Sequence, residues 1–208
     1  MRSSAAPPRG RFPVRRRSRC GLRYSTWFHG RTQPTSCQSI CTGRMGFVFQ
    51  QMNVPANLNM IDNVVLPALH AKKSRKRELY RRARALMDDF HIGDLAERRV
   101  NEVSGGQLQR ACICRSLMME PEIIFADEPT GALNQAAADV IEAFLQINRK
   151  GTSIMMVTHD SRNAAVCDRI LYMLDGEIKG ELRLGKYVHD EAKEREKRTA
   201  RWLEEMGW

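Results

Sequence analysis

Apolar residues gather in short, separated runs along this chain, and the spacing within each run tells which element it makes. Gly46-Phe47-Val48-Phe49-Gln50, Ile123-Ile124-Phe125-Ala126 and Ile154-Met155-Met156-Val157 are continuous apolar stretches of strand length, the pattern of strands shielded on both faces. Elsewhere the period lengthens. Leu79, Ala83, Leu86, Met87 and Phe90 fall on one face of a helix over 74–91, with a basic, solvated face opposite. A second helix follows Ser104 and runs to about Met119, and a third, from about Ala136 to Asn148, turns Val140, Ile141, Phe144 and Leu145 inward. Asp175-Gly176, between Arg169–Leu174 and Glu177–Leu184, is a strong hairpin-turn signal. Strand–helix–strand order with continuous apolar strands predicts an α/β fold, a parallel sheet covered by helices and closed by an antiparallel hairpin. The tail from Asp190 is highly charged and is expected to be helical, with Trp202, Leu203, Met206 and Trp208 as its few apolar contacts.

Composition narrows the picture. A chain of 208 residues, 42% hydrophobic, supports one well-buried domain. No stretch approaches the roughly 20 consecutive apolar residues of a membrane-spanning helix, so a role at a membrane is expected to come through a partner. The first residues contain no apolar signal-peptide core. The net charge of +10 is confined to one segment: residues 1–61 hold ten arginines, all between Arg2 and Arg44, and no Lys, Asp or Glu. From Asp62 onward 24 basic residues balance 24 acidic ones. The basic excess therefore gives no reason to expect nucleic acid as a partner of the body of the protein. A compositional boundary falls near Arg44-Met45, and residues 1–44, rich in Arg, Ser, Pro and Cys without periodicity, are expected to be a disordered, unassigned segment. Cys20, Cys37, Cys41 and His29 lack the second close pair that a zinc site needs. Cys112 and Cys114 lie in an apolar helical run and are expected to be packed free thiols.

Chemistry enters at the ends of the strands. Ile123–Ala126 is followed by Asp127 and Glu128, which puts carboxylates at the sheet's C-terminal edge, where α/β folds bind ligands. In phosphate-transferring ATPases such an Asp holds Mg²⁺, directly or through water, and an adjacent Glu can polarise the attacking water. Val103-Ser104-Gly105-Gly106-Gln107 places a Ser and two Gly at a helix start, where backbone N–H groups and the positive end of the dipole can meet an anion. The same residues also make an ordinary Ser N-cap. His159 follows directly on the strand ending at Val157, 31 residues after Glu128, and Gln50 ends the first strand, 54 residues before Ser104.

In this order the motifs closely resemble the ABC ATPase family over about residues 45–188. Gln50 matches the Q-loop glutamine and Val103–Gln107 the signature, usually Leu-Ser-Gly-Gly-Gln. Ile123–Asp127 match the Walker B strand, Glu128 the catalytic glutamate, Gly131–Asn134 the D-loop and His159 the switch histidine. The resemblance implies a RecA-like parallel sheet core, incomplete at the N-terminus, with a small helical subdomain at about 51–105, a C-terminal β-hairpin and a charged helix over 189–208. It also implies ATP and Mg²⁺ as cofactors. Glu128 and His159 would be catalytic, Asp127 and Gln50 would serve the metal, and Gln50, Ser104, Gly105, Gly106, Gln107 and Asn134 would bind nucleotide. The partners it implies are a second ABC ATPase subunit, forming a dimer, and an FtsX-like permease that holds the chain at the cytoplasmic face of the plasma membrane. The phrases GFVFQQMN, VSGGQLQR, ADEPTGALN and VTHD are similar to the group serving macrolide export, lipoprotein release and bacitracin-type peptide resistance. Leu184–Tyr187 and the ending Trp202–Trp208 look like its antimicrobial-peptide branch.

Two departures stand out. Asn134 replaces the usual D-loop Asp, and the peptide-export branch tolerates it. More seriously, no G-x4-G-K-[S/T] loop occurs anywhere in the chain, although the family carries this phosphate cradle upstream of the Q-loop glutamine. Residues 1–44 read as the product of a shifted or misassigned start, with a transit peptide or a basic tail for nucleic acid or anionic lipid as rivals. Without that loop the chain as written is expected to hydrolyse ATP poorly or not at all. The alternative function is a catalytically inactive ABC-like partner that completes another chain's ATP site.

Overall fold

The structure is a computed structural model that describes residues 44–71, 75–131 and 137–208. The expected disorder of 1–44 and the D-loop role of Asn134 fall outside these residues, Arg44 excepted.

Three strands, β1 (Met45–Phe49), β2 (Ile123–Asp127) and β3 (Ser153–Val157), form a parallel sheet in the order β1-β2-β3. Its register aligns Phe47, Phe125 and Met155 in one row and, two residues on, Phe49, Asp127 and Val157 in another. Among the described residues three α-helices lie between β1 and β2. Helix α1 (Met60–Ala71) starts at Asn59, whose side-chain oxygen accepts from the Asp62 N–H at 2.8 Å, and it continues through Pro67. Helix α2 (Lys76–Asp89) buries Leu79, Ala83 and Met87 at a four-residue spacing, the stripe that its amphipathic pattern demands. Helix α3 (Gly105–Leu117) is capped by Ser104 and buries Ala111, Cys112, Ile113 and Cys114. Burial pushes the thiols of Cys112 and Cys114 up, so both stay protonated and inert at neutral pH.

Helix α4 (Ala137–Arg149) joins β2 to β3 and buries Val140, Ile141, Phe144 and Ile147. After β3 come the short α5 (Ser161–Ala165) and a separate two-stranded sheet, β4 (Arg169–Leu174) with β5 (Glu177–Arg183), then α6 (Ala192–Glu205). Asp175 and Gly176 both have positive φ, 53° and 78°, as a tight hairpin turn of the primed type requires.

The core joins Val48, Ile124 and Ala126 of the sheet to Met60, Val64, Val65, Met87, Ile113 and Phe144 of the helices. All of the sheet's deeply buried side chains point to one face. The opposite face carries Phe47 and Phe49, each 38% exposed, Met155, 46%, and Val157, 57%. This corrects the expectation of strands shielded on both sides: among the described residues, helices cover one face only. Phe47 stacks on Phe49 and on Phe125, with ring centroids 6.1 and 5.5 Å apart, so the aromatic side chains shelter one another in place of a covering layer.

The C-terminal helix is fastened by a buried cation. Arg195, 4% exposed, donates to the carbonyls of Ala165, Cys167, Leu184, Gly185 and Lys186 at 2.9–3.3 Å. Trp202 and Met206 lie against Gly180 of β5, and Leu203 is buried. Trp208, read from the sequence as an apolar contact, is 54% exposed, because it lies beyond the end of the helix at Glu205.

Candidate functional site

Asp127 ends β2 at the sheet's C-terminal edge, between Phe49 of β1 and Val157 of β3 in the register. The chain then turns sharply. Glu128 takes φ 42°, a left-handed conformation that a residue with a side chain adopts only where surrounding contacts enforce it. Two hydrogen bonds do so: the Glu128 N–H donates to the Val157 carbonyl at 2.9 Å, and the Glu128 carbonyl accepts from the Gly131 N–H at 3.0 Å. The turn aims the Glu128 carboxylate at the strand end of β3. There Oε1 lies 2.7 Å from His159 Nδ1, and Oε2 accepts from the Thr158 hydroxyl at 3.4 Å.

Gln50 approaches from the end of β1. A methyl group placed on Gly131 would lie 2.9 Å from Gln50 Nε2 and 3.5 Å from Glu128 Cβ, so the amide packs against the glycine beside the glutamate. Any larger residue at 131 would push Gln50 away. The structure therefore brings Gln50, Asp127, Glu128 and His159 to one edge, from the ends of three adjacent strands. Their charges are unevenly shielded: the Glu128 side chain is 18% exposed and that of His159 76%.

Ser104 stands apart. Its hydroxyl accepts from the Gln107 N–H at 3.3 Å, and the Gln107 side-chain oxygen accepts from the Ser104 N–H at 2.8 Å, a complete capping box. Gly105, first in the helix, is exposed, and its N–H is among those that an α-helix start leaves without an internal partner. Among the described residues no hydrogen bond or ion pair joins Ser104, Gly105, Gly106 or Gln107 to Glu128 or His159.

Sequence reasoning missed a support behind the site. Asn163 of α5 donates from its side-chain nitrogen to Thr130 Oγ1 at 2.7 Å, and both residues are buried. Asp160 caps the same helix, accepting from the Arg162 N–H at 2.8 Å. Burial pushes the Asp160 carboxyl up, but hydrogen bonds and charge from Arg162 outweigh this and hold it below its ordinary value. No sequence signal marks the Asn163–Thr130 pair, which joins residues 33 apart.

A carboxylate, a second carboxylate and an amide suit a hard cation such as Mg²⁺, which is held by one or two protein carboxylates together with phosphate oxygens. The metal end of a Mg-nucleotide thus fits the residues present, whereas the phosphate end lacks the Gly-rich cradle in this sequence.

The sequence pattern of the family described as ABC transporter matches residues 25–131. Over 136 residues, 65% of this chain, the sequence is 43% identical to the macrolide export ATP-binding/permease protein MacB of Aggregatibacter actinomycetemcomitans, covering 21% of that protein. Over 140 residues, 67% of this chain, it is 42% identical to the lipoprotein-releasing system ATP-binding protein LolD of Aquifex aeolicus, covering 62% of it. The chain thus spans about a fifth of the first relative and less than two thirds of the second. Among solved structures, it is similar to a bacterial ABC transporter cassette in dimeric form, with TM-score 0.67 and 32% identity over 75% of this chain and 69% of that one. The same cassette in a post-hydrolysis state bound to ADP and Pi gives a TM-score of 0.66 at 32% identity and the same coverage. With the family pattern running over half of its length, and a parallel sheet and helices that match a solved cassette, this chain belongs to the ABC transporter family and has an incomplete RecA-like ATPase core.

Proposed function

We propose that the chain is the nucleotide-binding subunit of an ABC exporter, contributing the water-activating and metal-holding half of an ATP site. The observation that carries this reading is the contact between Glu128 Oε1 and His159 Nδ1 at 2.7 Å, beside Asp127 at the C-terminal edge of a parallel sheet. Bound Mg²⁺ would supply charge neutralisation at the phosphates. Asp127 and Gln50 are the residues to hold it.

Glu128, kept partly from solvent and turned towards His159, is the general base that would orient and deprotonate a water. His159 faces the same carboxylate. Its Nδ1–H would donate to Oε1, while Oε2 accepts from the Thr158 hydroxyl, so the carboxylate is held in one orientation towards the water. The left-handed turn at Glu128 matters here, because an extended residue would point its carboxylate away from β3. Ser104 and Gly105, distant in contact from that edge, would serve the nucleotide of a second subunit in a dimer. Asn134 would lie at the same seam.

The exporter setting rests on the likeness to proteins named for macrolide export and lipoprotein release. Antimicrobial peptide or a similar amphiphile is the proposed cargo. An FtsX-like permease is the proposed membrane partner, docking this subunit peripherally at the cytoplasmic face. Among the described residues no helix is long and apolar enough to cross a membrane.

Because the G-x4-G-K-[S/T] loop is absent from the sequence, hydrolysis by the chain alone is proposed to be impaired. Loss of one preorganised donor can cost roughly 3–4 kcal/mol, and here several go together. The second reading, an inactive partner lending Ser104 to an intact subunit, draws on the same absence and on the self-contained capping box. Equilibrium dialysis with Mg-ATP tests both. Weak binding that Asp127→Ala abolishes supports the half-site. No binding alone, but gain of turnover on mixing with an intact subunit, lost in Ser104→Arg, supports the inactive partner. Turnover near 1 s⁻¹ by the purified chain, abolished by Glu128→Gln, would refute the impairment.

A further inference from the structure

We infer that Asn163 is a positioning residue for the Glu128–His159 pair, acting through Thr130 from behind the turn. That the pair activates water rests on the half-site reading. That Asn163 sets its geometry stands on contacts within this chain.

Glu128 holds its φ of 42° against two preferences. A side chain disfavours left-handed backbone, and Pro129 follows, which pushes the residue before it towards extended conformations. Such a conformation persists only where the surroundings over-determine it. The Glu128 N–H bond to the Val157 carbonyl and the Gly131 N–H bond to the Glu128 carbonyl fix the two ends of the turn. Between them lies Thr130, which Asn163 anchors by donating to Oγ1 at 2.7 Å.

The same helix is tied to the carboxylate by a second route. His159 and the Thr158 hydroxyl hold the two oxygens of Glu128. The Asp160 N–H donates to Thr158 Oγ1 at 3.1 Å, and the Asp160 side chain caps α5, which carries Asn163. The contacts therefore close a ring from Glu128 through Thr130, Asn163, Asp160 and Thr158 back to Glu128.

The links of this ring differ in strength. The Thr158 contact is long, 3.4 Å, and the His159 side chain is 76% exposed, so water competes for its contact. Asn163 and Thr130 are each 8% exposed, where breaking a bond strands polar groups away from water. The buried link is thus the stiff one, and the exposed contact follows it. Helix α5 spans five residues, too few to hold its place alone. Arg195 secures it by donating to the carbonyls of Ala165 and Cys167 at 2.9 and 3.0 Å.

The test uses the full-length chain without nucleotide. The His159 tautomer is read from its ring nitrogen shifts by NMR at about pH 8.5, above the ordinary imidazole range. Bonding to Glu128 through Nδ1 favours the Nδ1–H form, whereas an imidazole free in water favours Nε2–H. Thr130→Val keeps the shape and removes the hydroxyl; it should lower the ratio of Nδ1–H to Nε2–H about threefold, the weight of an exposed charged contact. Thr130→Ser keeps the hydroxyl and removes the methyl, and should retain the wild-type ratio. Asn163→Leu should match Thr130→Val. In both, the Gly131 amide should exchange with deuterium about tenfold faster while amides in α2 keep their rates. Should Asn163→Leu not fold, the Thr130 pair decides alone.

A ratio that follows the methyl and not the hydroxyl would reduce the bond to ordinary packing and overturn the inference. So would an unchanged ratio in Thr130→Val, a wild-type imidazole already in the Nε2–H form, or equal acceleration at Gly131 and in α2, the mark of lost global stability. Dialysis of the wild-type chain with Mg-ATP judges the half-site separately. The expected tautomer response without nucleotide binding sinks the half-site and leaves Asn163 as the residue that sets the pair. Nucleotide binding with a tautomer indifferent to Thr130→Val sinks the positioning role alone.

Discussion

The two apolar regions of this molecule have similar side chains and opposite fates. Around α1, α2 and α3, residues such as Met60, Val64, Met87 and Ile113 have no solvent exposure at all. On the far face of the sheet and along the hairpin, Met155, Val157, Met173 and Ile178 are about half exposed. Hydropathy does not distinguish these groups; only the presence of a second layer does. The contrast separates what holds the fold from what surrounds the proposed chemistry, for Gln50, Asp127, Glu128 and His159 lie at the margin of the uncovered side.

The largest expected effects test that contrast directly. Ile113→Ala should lower unfolding free energy by about 2–5 kcal/mol in urea titrations, while Met155→Ala should stay within about 0.5 kcal/mol. Equal losses would mean that the bare face is packed in solution. Next comes Arg195→Met, expected to cost roughly 3 kcal/mol because buried carbonyls lose a charged donor. Arg195→Lys should recover only part of this, as an ammonium cannot reproduce a guanidinium's spread of donors. Ser104→Ala removes one cap from α3 and should cost about 1 kcal/mol, visible as a shifted urea midpoint.

The smallest effect is one of pH. Asp160 has a carboxyl held below its ordinary value in the folded chain, by Arg162 against the upward push of burial. A depressed carboxylate contributes fully above its unfolded value of about 3.9 and loses that contribution as pH falls through the folded one. Stability from this residue should therefore be flat from pH 7 to about 5 and decline below about 4. Asp160→Asn should flatten that part of the decline, and unchanged acid midpoints would assign the decline to other carboxylates.

Much of this was legible in the sequence, for identifiable reasons. The amphipathic spacing of Leu79, Ala83 and Met87 announced α2, and Asp175-Gly176 announced the hairpin, because both signals are local. Ser104 and Gln107 announced the start of α3 for the same reason. The convergence of Gln50, Glu128 and His159 followed from their positions at strand ends, since parallel strands bring their C-terminal ends together. Helix α1 was less legible as a distinct element: Pro67 interrupts its pattern, while its start depends on Asn59 and its tertiary packing buries Asn63. Short α5 and the Asn163–Thr130 bond were hidden because they depend on a contact between distant segments. The one-sided sheet was hidden too, for an apolar run declares that it wants cover and not that cover arrives.

Arg195 carries a practical warning for anyone shortening the chain. The final stretch is charged and mostly solvent-facing, so it invites removal as dispensable. Yet clipping it ahead of residue 195 would withdraw a side chain that ties together carbonyls from Ala165 to Lys186, and with it Arg198, which donates to the Arg183 carbonyl. The damage would begin at the hairpin and α5, not at the new terminus, and would reach Thr130 through Asn163. A seemingly idle tail thus acts as a clasp on the segment next to Glu128.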